Sequence, residues 1–135
     1  MPFDLDPSRI DDAETKLGIA LPAAYRASMA RANGGCVDDG DDTWTLYPIF
    51  DDSDIRRLKR TANDIVRETK EARAHGYLPL DGIAIGSNES GDLLVLMPKE
   101  NDPSRAQEAV YRWDHETMKL QRVAVRFEAM KWDWP

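Results

Sequence analysis

Cysteine is nearly absent from this chain. Cys36 stands alone among 135 residues. An intramolecular disulfide framework is therefore excluded, and a reducing cytoplasm is the expected compartment. Histidine is almost as scarce, with only His75 and His115. Cys-x-x-Cys, His-Glu-x-x-His and Walker patterns are all missing, so zinc and nucleotide sites lack ligands at the spacing they need. No apolar stretch is long enough to cross a bilayer, and no apolar h-region follows Met1. Secretion by a cleaved signal and membrane spanning are both unexpected. Basic residues are missing from one long segment: none lies between Arg31 and Arg56.

What is present describes a folded protein. The length suits one domain over residues 1–135, and a 41% apolar share is enough for a core without staples. The net charge of −7 is unevenly placed. Residues 1–54 hold twelve acids and four bases, whereas the remainder is close to balanced. An acidic front repels nucleic-acid backbones and attracts basic partners.

The segment Gly82–Met97 organises the reading. Ile83 and Ile85 alternate with small residues, and Leu93–Met97 is continuously apolar. Between them lies the polar turn Ser87–Asp92. Two short apolar runs joined by a Gly-containing loop predict a β-hairpin, with its second arm a central strand covered on both faces. Upstream, Asp6-Pro7-Ser8 predicts a helix start, Ile10, Ala13 and Leu17 its buried face, and Gly18 its end. A second helix begins at Leu21-Pro22, buries Tyr25, Met29 and Ala32, and stops at Asn33-Gly34-Gly35. Trp44–Tyr47 predicts a strand that Pro48 ends. Ile55, Leu58, Ala62, Ile65, Val66, Thr69 and Ala72 predict one long helix over 54–75, its bases on a solvated face. Ala109–Trp113 predicts another strand, with Asp114–Thr117 as its turn. Val123, Phe127, Met130 and Trp134 predict a closing helix. Strands clustered late with short connections imply the α+β class: a mainly antiparallel sheet of about 4–6 strands with helices packed against it.

Several of these segments carry a family resemblance. Leu17-Gly18-Ile19-Ala20-Leu21-Pro22-Ala23-Ala24-Tyr25 followed by Asn33-Gly34-Gly35 resembles the N-terminal signature of the SUKH superfamily. Trp44–Ile49, Ile85-Gly86 through Gly91-Asp92-Leu93-Leu94, and Val110–Glu116 with Val123–Phe127 are similar to the strand before that family's long helix, its central hairpin, and its last strand and closing helix, in the same order. Asn88-Glu89-Ser90 replaces the small residue or glycine usual in the hairpin loop. The superfamily includes fungal cell-wall-assembly regulators and bacterial immunity proteins. The resemblance implies a non-catalytic immunity protein for a cognate toxin, or a regulatory scaffold.

The residues themselves point to no reactive centre, cofactor or metal. Asp38–Asp42 lacks the spacing and distal glutamate of an EF-hand loop. Asp114-His115-Glu116 is a polar turn that would need further ligands to hold a metal. Cys36 is an idle thiol unless folding brings a histidine to it. A binding surface remains. Asp38, Asp39, Asp41, Asp42, Asp51, Asp52 and Asp54 flank Trp44 and Tyr47, and acids around aromatic anchors suit a basic protein target. Trp44 and Tyr47 are either those anchors or core residues. The expected partner is a basic nuclease or nucleic-acid deaminase toxin, with no direct nucleic acid and no membrane. The expected state is a monomer or weak homodimer.

Overall fold

The computed structural model describes residues 2–79 and 81–132. Four α-helices and seven strands follow one another: α1 (Pro7–Leu17), α2 (Ala23–Arg31), β1 (Cys36–Asp38), β2 (Thr43–Leu46), α3 (Ile55–Arg60), α4 (Ile65–Ala74), β3 (Ile83–Ser87), β4 (Leu93–Pro98), β5 (Ala106–Asp114), β6 (Lys119–Ala124) and β7 (Lys131–Trp132). The strands form one sheet in the order β6-β5-β4-β3-β2-β1-β7, with every named pair antiparallel. The class is α+β, with more strands than expected.

α1 forms as its caps dictate. The Asp6 carboxylate accepts the Ser8 N–H at 2.9 Å, Pro7 opens the helix, and Gly18 closes it at φ 72°. α2 buries Tyr25, Ser28 and Met29. Asn33 then pins the chain: its amide donates to the Ile49 carbonyl at 2.8 Å and accepts the Ile49 N–H at 2.7 Å. One face of the sheet, carrying Val37, Trp44, Leu46, Ile83, Ile85, Leu94, Leu96 and Val110, shares a single core with Ile10, Ala13, Tyr25, Met29, Ile65 and Val66 of the helices. β4 is an interior strand next to the middle one, and Val95 is fully buried on the outer face, so this strand is covered on both sides. Ala84 and Trp113 lie beside Val95 on that outer face and are buried too.

β3 carries a bulge between Ala84 and Gly86. A Cβ at Gly86 would stand 2.6 Å from the Thr45 carbonyl oxygen, so the close approach of β2 requires glycine there. Where β2 leaves β3, the Thr69 hydroxyl of α4 accepts the Ala84 N–H at 3.0 Å and so covers an open strand edge.

Two expected helices are corrected. The long helix over 54–75 is two, because Asp64 restarts the chain by accepting the Val66 and Arg67 N–H groups, while the Thr61 hydroxyl turns back to Asp51. Asn63 and Asp64 favour such caps over helix interiors. Ile55 and Leu58 then fall on an α3 with no buried residue. The closing helix is replaced by β6, a 3-10 turn at Phe127–Ala129 and β7. This crossing buries Phe127 edge-on against Tyr25, ring centroids 5.3 Å apart at 89°, and lands β7 on β1. Trp132 packs against the core, whereas Trp134 lies outside the described residues.

Candidate functional site at the hairpin loops

The antiparallel order brings the β1–β2, β3–β4 and β5–β6 loops to one end of the sheet. They carry Asp38, Asp39, Asp41, Asp42, Glu89, Asp92, Asp114 and Glu116. Sequence reasoning found the first four and missed Glu89, Asp92, Asp114 and Glu116 as members of the same end of the sheet. The missed signal was topological: consecutive hairpins turn alternately at the two ends of a meander.

The first loop is held by its own aspartates. Asp38 accepts the Gly40 N–H at 2.6 Å, and Asp39 accepts the Asp41 and Asp42 N–H groups, each at 2.8 Å. These are turns of the kind short acidic side chains make. Trp44 is fully buried, so its ring is a core residue and does not serve as the surface anchor expected for it. Its indole N–H donates to Asp39 at 2.9 Å, tying the loop to the core. Burial pushes the Asp39 carboxyl up, but that indole and the two backbone N–H groups outweigh it and hold it below its usual value. Asn88 bridges the first two loops by donating to Asp42 at 2.6 Å. Among the described residues, none of Asp38, Asp39, Asp41 or Asp42 lies within 4 Å of a Lys or Arg nitrogen.

Asp92 joins the other two loops. Its buried carboxylate accepts Arg112 Nε at 2.9 Å and Nη2 of the same guanidinium, and the His115 Nδ1 at 2.6 Å and N–H at 3.2 Å. Burial works against its ionisation, yet His115 and Arg112 win and set its pKa at about 2. The same contact raises His115 above its ordinary value. Asp92, Asp114 and His115 bring ligand-type atoms within 4.8 Å of one another. The Arg112 guanidinium already supplies the positive charge at that carboxylate, so the trio acts as a clamp between hairpins. The His75 Nδ1 lies 2.8 Å from the Glu71 carbonyl, so both histidines are engaged elsewhere than Cys36, which sits opposite Thr45 in the β1–β2 register.

The second acidic cluster is different. It lies beyond the far end of β2, and each of its aspartates is in an ion pair. Asp51 is buried and faces Arg57 Nη1 at 3.3 Å and Arg9 Nε at 3.9 Å. Asp52 pairs with Arg9. Asp54 caps α3 by accepting the Arg57 N–H at 2.8 Å and lies 3.4 Å from Arg57 Nε. These three aspartates do not join Asp38–Asp42 in one face, because they lie at the other end of β2 and are drawn into ion pairs with Arg9 and Arg57. Tyr47 is half-buried and lies on the wall of a groove beside α4.

The family model described as SMI1 / KNR4 (SUKH-1) matches residues 4–131. The chain belongs to the SMI1/KNR4 family. Membership accounts for the ordered segments that resembled SUKH proteins and is consistent with an immunity protein or a regulator. No curated protein and no solved structure matches the chain. No helix among the described residues is long and apolar enough to cross a membrane.

Proposed function

We propose that this SMI1/KNR4-family chain is an immunity protein that binds a cognate toxin and neutralises it without catalysis. The toxin is a basic nuclease or nucleic-acid deaminase. The observation that carries this reading is the convergence of three hairpin loops at one end of the sheet, where the β1–β2 segment carries Asp38, Asp39, Asp41 and Asp42. Among the described residues, none of the four is in an ion pair within 4 Å, the nearby cations being Arg112 and Lys131. Such a surface has a negative field that accelerates encounter with a positive one. The carboxylates pair with the Lys and Arg that the toxin uses to hold nucleic acid, and the body of the domain blocks access. The reading places the protein with its toxin in the cytoplasm.

The test is association kinetics with the product of the adjacent toxin gene. Replacing Asp38, Asp39, Asp41 and Asp42 by Asn slows association about 3–10-fold at low salt, and the difference shrinks as ionic strength rises. Equal rates at low salt would remove this surface from the interface. The second reading is a regulatory scaffold, which the family's SMI1/KNR4 designation favours. It is preferred if no neighbouring toxin co-purifies and a signalling or cell-wall partner does.

A further inference from the structure

A groove of about 390 Å³ lies between α4 and the outer face of the sheet. Tyr47, Ala72, Tyr77 and Leu93 give it apolar walls, and Glu68 and Glu71 supply carboxylates. Its end is formed by Gly91 and His115, so it opens onto the hairpin-loop end described above. Tyr77 is 57% exposed and stacks on His75, ring centroids 5.8 Å apart, which holds a large aromatic face at the rim.

Acid outweighs free positive charge in this groove, because the His115 at its end is taken up by Asp92. Glu68 is half-buried, and among the described residues no Lys or Arg nitrogen lies within 4 Å of its carboxylate. Burial, then repulsion from Glu71, raises its pKa, with Arg67 opposing. Glu71 reaches only Arg67, at 3.4 Å, in a pair more than half exposed, which contributes little. Of the other basic residues of α4, Lys70 is exposed and is not among the groove's lining residues, and Arg73 donates to the Gly82 carbonyl at 3.0 Å. A partly desolvated carboxylate without a counter-ion favours an incoming cation. Aromatic and aliphatic walls favour one that arrives on an apolar stem.

We propose that this groove seats one Arg or Lys side chain of a basic protein partner, its stem against Tyr47, Tyr77 and Leu93 and its charge at Glu68 and Glu71. The partner's identity as a basic toxin rests on the reading under Proposed function, whereas the groove's preference for a cationic side chain stands by itself. Binding there positions a specific residue of the partner, while the loop aspartates act at longer range on the encounter.

The experiment is an amide-shift NMR titration of the full chain with N-acetyl-arginine amide and N-acetyl-lysine amide, using N-acetyl-glutamine amide as the uncharged control. Saturable shifts are expected at Glu68, Ala72, Tyr77 and Leu93, weakened about fivefold or more in Glu68→Gln and in Tyr77→Ala. Both substitutions are at accessible side chains, and an unchanged spectrum elsewhere verifies the fold. The Asn variant at Asp38, Asp39, Asp41 and Asp42 is expected to leave these shifts within about twofold. Equal shifts with the glutamine probe, no groove shifts with either cationic probe, or undiminished binding in Glu68→Gln would each overturn the proposal. If the groove binds the probes but the Asn variant associates with the toxin at the normal rate, the loop reading fails and the groove assignment stands.

Discussion

Two runs of aspartate flank β2, and in sequence they look alike. Asp51, Asp52 and Asp54 are met by Arg9 and Arg57, which arrive from α1 and α3. Asp38, Asp39, Asp41 and Asp42 are met by backbone N–H groups, the Trp44 indole and the Asn88 amide. The first set uses acid charge to hold segments of the chain together. The second spends its hydrogen-bonding capacity locally, and its charge is offset only at longer range, by Arg112 near Asp39 and Asp42 and by Lys131 across from Asp38. Density of carboxylates in a sequence therefore says little about electrostatic field; what decides it is whether the fold delivers cations to them.

The comparison can be broken most severely at two buried, arginine-paired carboxylates. Asp92→Ala leaves Arg112 and His115 without their shared acceptor and unties two hairpins. It is expected to cost about 3–5 kcal/mol in urea unfolding. Asp51→Ala is expected to cost about 2–4 kcal/mol by the same measurement, because Arg9 and Arg57 remain partly hydrated after the loss. Gly86→Ala sharpens the contrast with a purely steric case of roughly 2–3 kcal/mol, since the bulge has no room for a methyl group. Asp41→Asn, in the set without ion pairs, is expected to change stability by less than about 0.5 kcal/mol. A loss at Asp41 as large as that at Asp51 would erase the distinction between the clusters.

Proton linkage gives a further and smaller effect. Asp92, Asp51 and Asp39 have lowered carboxyl pKa values in the folded state, so the stability they contribute is present above about pH 4 and is lost as pH falls, for Asp92 through about 2. His115 is raised, so its contribution is complete below about pH 6.5 and is lost as pH rises through its folded value. Thermal unfolding should therefore show highest stability between about pH 4 and 6.5, and Asp92→Asn should flatten both limbs. A wild-type profile that keeps rising from pH 6 to 8 would show that the His115 contact is not formed in solution.

Much of this arrangement was legible along the chain. The Asp6-Pro7 start, the Gly18 stop and the central β3–β4 hairpin depend on local capping and turn chemistry, which neighbouring residues control. Trp44 was also readable: in Thr43-Trp44-Thr45-Leu46 the strict alternation puts Trp44 with Leu46 on one face, and that face is the core. Its burial follows from strand period, and the adjacent acidic loop has no bearing on it. The break at Thr61–Asp64 was less accessible, because a helix through Ala62 also satisfies the apolar spacing. The Thr61 contact to Asp51 and the Ile65 N–H to the Pro48 carbonyl at 2.9 Å join the local Asp64 cap in settling where α4 begins.

Residues 119–132 show where local information ends. Val123, Phe127 and Met130 recur at helical spacing, yet Lys119–Ala124 pairs with β5 and Lys131–Trp132 with β1, on opposite edges of the sheet. Periodicity records which side chains seek burial, and a spacing of three or four residues serves a helix or a strand followed by a tight turn equally well. The sequence alone determined the class, the first helices, the central hairpin and the amount of acid. Tertiary structure decided which acids are held in ion pairs, because Arg9 and Arg112 reach Asp51 and Asp92 only after segments far apart in the chain pack together.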